Sequence, residues 1–405
     1  MNLFNVHCLG VSRFIIILGM LTPCLVEAEF WQIKPSISLI ERYNDNLYLS
    51  SDSSLSSVES LLKGSLAFSS LTEVSEVSAR LHANFQSYYI DDKFSTSNDQ
   101  FATFYANKKS ELSQWKFNSS FRRDATTRTI EGSQVINNGV NEEIANVDEG
   151  LVSIELRRYR YHLTPGVSYQ LDERSDLNVD YRLSGAFFEN NKKNTGLYDY
   201  NQNALSLGYA RKLSELDGVG LTFGVSRYSA PDNNNKSINS QTAIVGYWKT
   251  FSEVSGGSIN AGVRHSAGTD DVSNFDQLGY LLRLSIKYRT ELNQIRASIS
   301  HDLQPSGSGS LYKSNRIKLK VRRMFRPRLS GIFRFSIFSN ESIDSSSNRQ
   351  YYLSASPRVS WQWSRWWSIG GGLEYRVRET LDSLDDADSK AIFVSVRYMK
   401  GITVE

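Results

Sequence analysis

The chain has 405 residues with 46 Lys and Arg against 43 Asp and Glu, a formal net charge of +3, and a mean hydropathy of −0.39. No stretch approaches the roughly 18 consecutive apolar residues of a spanning helix, so a helical membrane protein is excluded, and any passage through a membrane must be by strands. The 7 prolines, 26 glycines, 20 phenylalanines and 21 tyrosines suit an all-β chain whose strands are apolar on one side only.

In chain order, residues 1–28 are an export address. Arg13 gives a basic start, Phe14 to Leu21 form an apolar run broken by Gly19, and Val26-Glu27-Ala28 is a small-x-small site before Glu29, the layout of a cleavable secretory signal. Cleavage before Cys24 as a lipoprotein is the alternative, disfavoured because Pro23 stands where a small residue is needed. Both cysteines, Cys8 and Cys24, lie in the removed segment. Residues 29–405 are therefore expected to fold as one domain without disulfides.

The clearest strand spans 75–90. Val77, Ala79, Leu81, Ala83, Phe85 and Tyr89 share one parity and Ser78, Arg80, His82, Asn84, Gln86 and Tyr88 the other, the period-2 signature of a strand with two different faces. The same alternation places Leu177, Val179, Tyr181, Leu183 and Phe187 against Asn178, Asp180 and Arg182. It recurs at Ile317, Leu319 and Val321 against Arg316, Lys318, Lys320 and Arg322, and at Tyr351, Leu353, Ala355 and Val359 against Tyr352, Ser354 and Arg358. Strands this long exceed the usual five or six residues of a sandwich and suit tilted membrane strands.

The connections alternate in length. Short ones fall near 71–74, 110–113, 172–175, 214–217, 252–256, 290–292, 326–327 and 364–366. Longer polar ones fall near 43–56, 91–100, 126–148, 190–198, 231–237, 268–275, 304–310, 340–348 and 379–388. The pattern predicts a transmembrane antiparallel β-barrel of about eighteen strands, sixteen being the alternative, with short periplasmic turns, longer extracellular loops and 150–171 read as one strand. All seven tryptophans, Trp31, Trp115, Trp248, Trp361, Trp363, Trp366 and Trp367, fall at the inferred periplasmic end, as an interfacial girdle would. Tyr43, Tyr89, Phe101, Phe187, Tyr200, Tyr228, Phe338 and Tyr351 are candidates for the opposite girdle.

Charge is segregated along this pattern. The long loops are strongly acidic, whereas the polar strand parity carries Arg80, Arg122, Arg182, Arg283, Lys287, Arg316, Lys318, Lys320, Arg322, Arg334, Arg358, Arg376 and Arg378. With His82, Tyr88 and Tyr352 these are the lumen-lining candidates, and they predict a basic interior biased toward anionic cargo. Charge that braces the wall by pairing is the plainer alternative. No catalytic, cofactor or metal motif is present: His82, His162, His265 and His301 stand in no metal-binding spacing, and His265-Ser266 is the one local hint of hydrolytic chemistry. The cations of 316–323 alternate along a strand behind a secretion signal, so no nucleic-acid partner is expected.

Residues 35–50, PSISLIERYNDNLYLS, resemble the opening strand of the second putative β-barrel porin family, many members of which are encoded with exopolysaccharide synthesis genes. Residues 163–189, LTPGVSYQLDERSDLNVDYRLSGAFFE, are similar to its hairpins, and 392–399, IFVSVRYM, resemble the terminal strand recognised by the barrel-insertion machinery, with the tail 400–405 in place of the usual final aromatic. The resemblance implies a Gram-negative outer-membrane barrel, held in outer-membrane lipid, through which a polysaccharide chain leaves the cell with the help of a periplasmic polysaccharide export protein. A diffusion porin for small anions and a structural barrel with a plugged lumen are the alternatives.

Overall fold

The computed structural model describes residues 31–51, 54–90, 93–126, 156–189, 197–233, 235–269, 274–305, 311–342, 349–380 and 386–404. Residues 1–28, read from sequence as a signal segment, both cysteines, most of the loop at 126–148 and the start of the stretch read as a strand at 150–171 lie outside the described residues. The strands are β1 (Trp31–Asn44), β2 (Ser57–Leu71), β3 (Ser75–Ile90), β4 (Lys93–Lys109), β5 (Ser113–Ala125), β6 (Arg157–Asp172), β7 (Ser175–Phe188), β8 (Tyr200–Lys212) and β9 (Asp217–Ala230). They continue as β10 (Lys236–Ser252), β11 (Ser255–Thr269), β12 (Asn274–Arg289), β13 (Asn293–Pro305), β14 (Leu311–Arg326), β15 (Leu329–Ser342), β16 (Arg349–Trp361), β17 (Trp367–Thr380), β18 (Ala387–Met399) and β19 (Ile402–Val404).

Each strand pairs antiparallel with its sequence neighbour, and β1 closes the wall against β18 from Ser36↔Met399 to Asn44↔Ala391. Closure leaves no open edge for lipid to meet, and in hydrocarbon an unpaired backbone group costs several kcal/mol. The wall is thus a closed antiparallel barrel of eighteen strands. β19 carries the seam on past a break at Lys400-Gly401, pairing Trp31↔Val404 to Ile33↔Ile402. The tail at 400–404 therefore extends the closure. Residues 93–100, read from sequence as loop, belong to β4, which stays in register with β3 up to Ile90↔Lys93. Ser95, Ser97 and Asp99 keep one parity there although little apolar material marks the other. The side chains of β4 pair with β5 only from Gln100↔Arg123 downward, so the β3–β4 hairpin stands above its β5 neighbour.

The short turns share one chemistry. Thr72-Glu73-Val74-Ser75, Ser110-Glu111-Leu112-Ser113, Ser214-Glu215-Leu216-Asp217, Ser252-Glu253-Val254-Ser255 and Thr290-Glu291-Leu292-Asn293 repeat the same order, and Asp172-Glu173-Arg174-Ser175 differs at its first and third positions. The first residue supplies an oxygen to the returning strand: Thr72 Oγ1 accepts from the Ser75 amide at 2.9 Å and Thr290 Oγ1 from the Asn293 amide at 3.0 Å, as hydroxyl turns do. The third residue's carbonyl accepts an amide from the next hairpin, for example Lys109 N to Val74 O and Met324 N to Leu292 O. Two turns keep that last bond, Gln362 N to Arg328 O and Met399 N to Trp366 O, but lack the glutamate: Arg326-Pro327-Arg328-Leu329 and Ser364-Arg365-Trp366-Trp367.

Facing is set by parity. Large apolar side chains such as Leu39, Leu62, Phe85, Phe223, Val263, Ile286, Ile317, Val359 and Val394 are exposed, and the cross-strand register puts them all on the outer surface. The inner parity is polar. On β14, Leu319 is outward between inward Lys318 and Lys320. Leu319→Arg is predicted to cost about 2–4 kcal/mol near the bilayer midplane, whereas Lys318→Ala leaves the lipid face intact. Urea unfolding of the refolded barrel, followed by its heat-dependent gel mobility, distinguishes the two.

Candidate functional site

The lumen is built on the inward parity, and Arg80, His82, Tyr88, Arg122, Arg182, Arg283, Lys287, Arg316, Lys318, Lys320, Arg322, Arg334, Tyr352, Arg358, Arg376 and Arg378 all belong to it. They do not form one site. In the extracellular half the inward side chains pack against one another: Arg158 is 0% exposed, and Arg122, Arg316, Arg376, Phe338, Tyr352 and Phe393 are also buried. Toward the periplasm the inward side chains stand in open space, Arg283 at 61% and Lys287, Arg289, Arg322 and Arg397 exposed.

The packed half is held by charge and rings. Asp124 on β5 accepts from Arg158 Nε at 3.1 Å and pairs with Arg160, both on β6. Near the β1–β18 seam Arg42 lies 3.4 Å from Glu374 and 3.8 Å from Glu59, with Arg376 3.8 Å from Glu374. The Phe393 ring lies between the Arg358 and Arg42 guanidinium groups, 4.7 Å and 5.7 Å from its centroid. Gly372 makes this possible, because a Cβ there would run into the Phe393 ring and the Pro357 carbonyl. Above, Phe338 and Tyr352 stack at 4.7 Å and 21°. Leu49, from the loop after β1, packs against them with φ at +52°. An L-residue in that region costs roughly 1–2 kcal/mol, offset here by burial in the mouth.

The open half holds a transverse row. Lys287 on β12 is directly opposite Arg296 on β13, Arg296 opposite Lys320 on β14, and Lys320 opposite Arg334 on β15. Gly256 flanks one end of the row and Ser356 the other. The inward rows on either side, Ser285–Ser298–Lys318–Ser336 and Arg289–Gln294–Arg322–Ile332, contain no carboxylate. The nearest acid toward the mouth, Asp302, is engaged by Arg264 at 2.9 Å.

Sequence reasoning passed over Arg42, Lys63, Arg158, Arg160, Arg264, Arg296 and Arg397, all inward. Arg42 and Arg158 sit beside other charged or aromatic residues that blur the alternation, and only cross-strand register assigns their face. The aromatic girdles also need correction. Trp115, Trp361, Trp363 and Trp367 are exposed and Trp31 shares the outward parity of Ile33, but Trp248 points inward over Gly218 and Gly220, whose missing side chains leave room for its ring. Trp366 lies under the Arg365 guanidinium at 4.7 Å. Tyr43, Tyr89 and Phe187 are exposed at the opposite end, whereas Phe101, Tyr228 and Phe338 are buried on the inward side and Tyr200 packs against Tyr228 there. His265 pairs with Asp276 at 2.7 Å on the outer face, while Ser266 points inward to Ser240. The His-Ser adjacency therefore brings no catalytic pair together.

No protein-family model matches the chain, and no curated protein is similar to it. Solved structures similar to it include OccAB4 of Acinetobacter baumannii, 9% identical, covering 93% of this chain and 99% of that one with a TM-score of 0.44. OccK5 (OpdH) of Pseudomonas aeruginosa is 12% identical over 92% and 98%, with a TM-score of 0.44, and OpdK of Pseudomonas aeruginosa with vanillate is 12% identical over 92% and 99%, with a TM-score of 0.46. What this chain does must follow from its own wall, a closed outer-membrane β-barrel with an apolar exterior and a basic interior.

Asp124→Ala is predicted to leave the buried Arg158 and Arg160 without their shared carboxylate and to destabilise the barrel by about 3–5 kcal/mol. Equilibrium unfolding in urea reads the loss, and a change below 1 kcal/mol would show that the two guanidinium groups are already hydrated.

Proposed function

We propose that the barrel is a diffusion channel selective for small anionic solutes, and the row Lys287–Arg296–Lys320–Arg334 is the observation that carries this reading. Directly opposed residues on neighbouring strands have Cβ atoms about 5 Å apart, and like charges so placed are destabilising. Each adjacent pair repels by roughly 1 kcal/mol even at the dielectric constant of water. A wall braced for stability alone would alternate the sign, as it does around Glu374 and Asp124. Four neighbouring cations on the inward face, Lys287 exposed and Arg296, Lys320 and Arg334 half-buried, instead make a local positive potential that concentrates anions and repels cations.

Export of a polysaccharide has less support in the wall. A sliding glycan needs ring faces and polar groups presented to it, and the Tyr88 and Tyr352 side chains that were the candidates are buried, at 6% and 3% exposure. The third candidate, Arg182, is exposed and serves either cargo. Leu49 over the Phe338–Tyr352 stack narrows the same region from the extracellular side, which suits a solute of limited size.

The test is ion selectivity in planar bilayers. The wild-type channel is predicted to favour chloride over potassium, more at 0.1 M salt, where the Debye length is about 10 Å, than at 1 M, where it is about 3 Å. Charge reversal of the row by Lys287→Glu, Arg296→Glu, Lys320→Glu and Arg334→Glu should move the reversal potential toward cation preference. A folded variant with unchanged selectivity, or a wild-type barrel without conductance, overturns the proposal.

A further inference from the structure

The two turns that lack the shared glutamate are the last two complete hairpin turns before the seam, and they converge. Together with the strands above them they enclose a cavity of about 210 Å³ at the periplasmic rim, whose lining includes Arg322, Arg326, Arg328, Arg365 and Arg397 and no Asp or Glu. The other six periplasmic turns carry Glu73, Glu111, Glu173, Glu215, Glu253 and Glu291 at one equivalent position. That turn position is therefore acidic in six of the eight turns, although Lys108, Lys109, Arg174, Arg211, Lys212, Lys249 and Arg289 lie at the same rim, and Pro327 and Arg365 replace the acid in the other two. In the same turns Arg326 stands where the others place an oxygen-bearing side chain, and Arg328 where most place an apolar one.

Three further features shape the cavity. Ser330, Ser360, Ser368 and Arg397 are on the inward parity, so it opens on the lumen and not on the lipid face. Arg322 lies on β14 two residues from Lys320, which joins the cavity to the basic row. Arg365 is held by stacking on Trp366 at 4.7 Å, and Arg397 has Met399 Sδ at 3.5 Å as a neutral neighbour. Guanidinium groups recognise carboxylate and phosphate oxygens through paired, parallel N–H bonds. The volume is below the roughly 300–1,000 Å³ of sites for whole drug-sized ligands and fits a single anionic head group.

We propose that this cavity is a binding site for the phosphate or carboxylate group of an anionic solute, placed where that solute passes between lumen and periplasm. The inference deepens the anion-channel reading and rests on it for the identity of the cargo, but the site itself is testable without conductance. The five guanidinium groups take the oxyanion, and the β14–β17 side is where the rim gathers arginines in a cavity whose lining has no carboxylate.

The experiment is binding of inorganic phosphate and of acetate to the purified, detergent-solubilised barrel, read for phosphate by phosphorus NMR line broadening and for acetate by competition against it. The variant Pro327→Glu/Arg365→Glu restores the acid that the other six turns already carry, and heat-dependent gel mobility confirms its fold. Wild type should bind phosphate saturably, acetate should compete, and the variant should bind at least about tenfold more weakly, the loss expected from removing a charge-assisted contact and adding a repulsive one. Phosphate binding that is unchanged in the variant overturns the proposal. So does a site that takes short-chain phosphatidylglycerol but neither free anion, which would make it a lipid head-group site. A barrel that passes no ions but shows the predicted binding difference would refute the channel and keep the site.

Discussion

The pairing of β1 with β18 is the constraint on which the rest of the wall depends. From Ser36 to Asn44 the first strand runs in unbroken antiparallel register with β18 on one side and β2 on the other, and β19 continues the match from Ile33 to Trp31. Without that seam two strand edges would face hydrocarbon, where no water can replace the missing bonds. Closure also fixes the sense of each side chain, since a slip of one residue anywhere would turn a whole strand inside out. Beside the seam Gly372 on β17 leaves room that Phe393 fills, and the Arg42 and Arg358 guanidinium groups lie over that ring.

Much of this was legible because a barrel strand meets two solvents, and alternation along a single strand reports both. The eighteen strands and eight short turns follow from that rule, as do the inward faces of Arg316 to Arg322. What escaped depends on the neighbouring strand. Trp248 looks like an interfacial residue until Gly218 and Gly220 are placed opposite it, and Tyr228 looks like a girdle residue until Ile238 and Leu311 cover it. Residues 93–100 read as loop because the strand there has risen above the membrane, where lipid no longer demands an apolar parity and the alternation fades although the backbone ladder persists. The Arg296 link in the basic row was missed for the same reason: its significance lies in Lys287 and Lys320 on either side, more than twenty residues away from the latter.

Charge does two different jobs at two depths. Near the mouth, where side chains are buried, two clusters contain their own acids: Asp124 for Arg158 and Arg160, and Glu374 and Glu59 for Arg42. Burial without such partners would be prohibitive. Lower down, where Lys287, Arg289 and Arg322 are exposed, solvent and mobile ions screen part of the like-charge repulsion. Acid-paired clusters near the mouth thus give way to same-sign rows nearer the periplasm, where inward side chains such as Lys287, Arg289 and Arg322 are exposed.

The raised β3–β4 hairpin has a further consequence. Among the described residues, the stretch of β4 above Gln100 has no strand on its β5 side, and such an edge is a template on which another chain can add a strand. Arg157 donates to the Asn98 carbonyl and reaches Asp99 at 2.6 Å, and Arg123 donates to the Asn98 side chain at 2.7 Å while held by Glu189 at 3.3 Å. Two bulky cations therefore occupy the positions an incoming backbone would need. At Asn98 and Asp99 the open edge is thus covered by side chains from β5 and β6, which hinders the addition of a strand there.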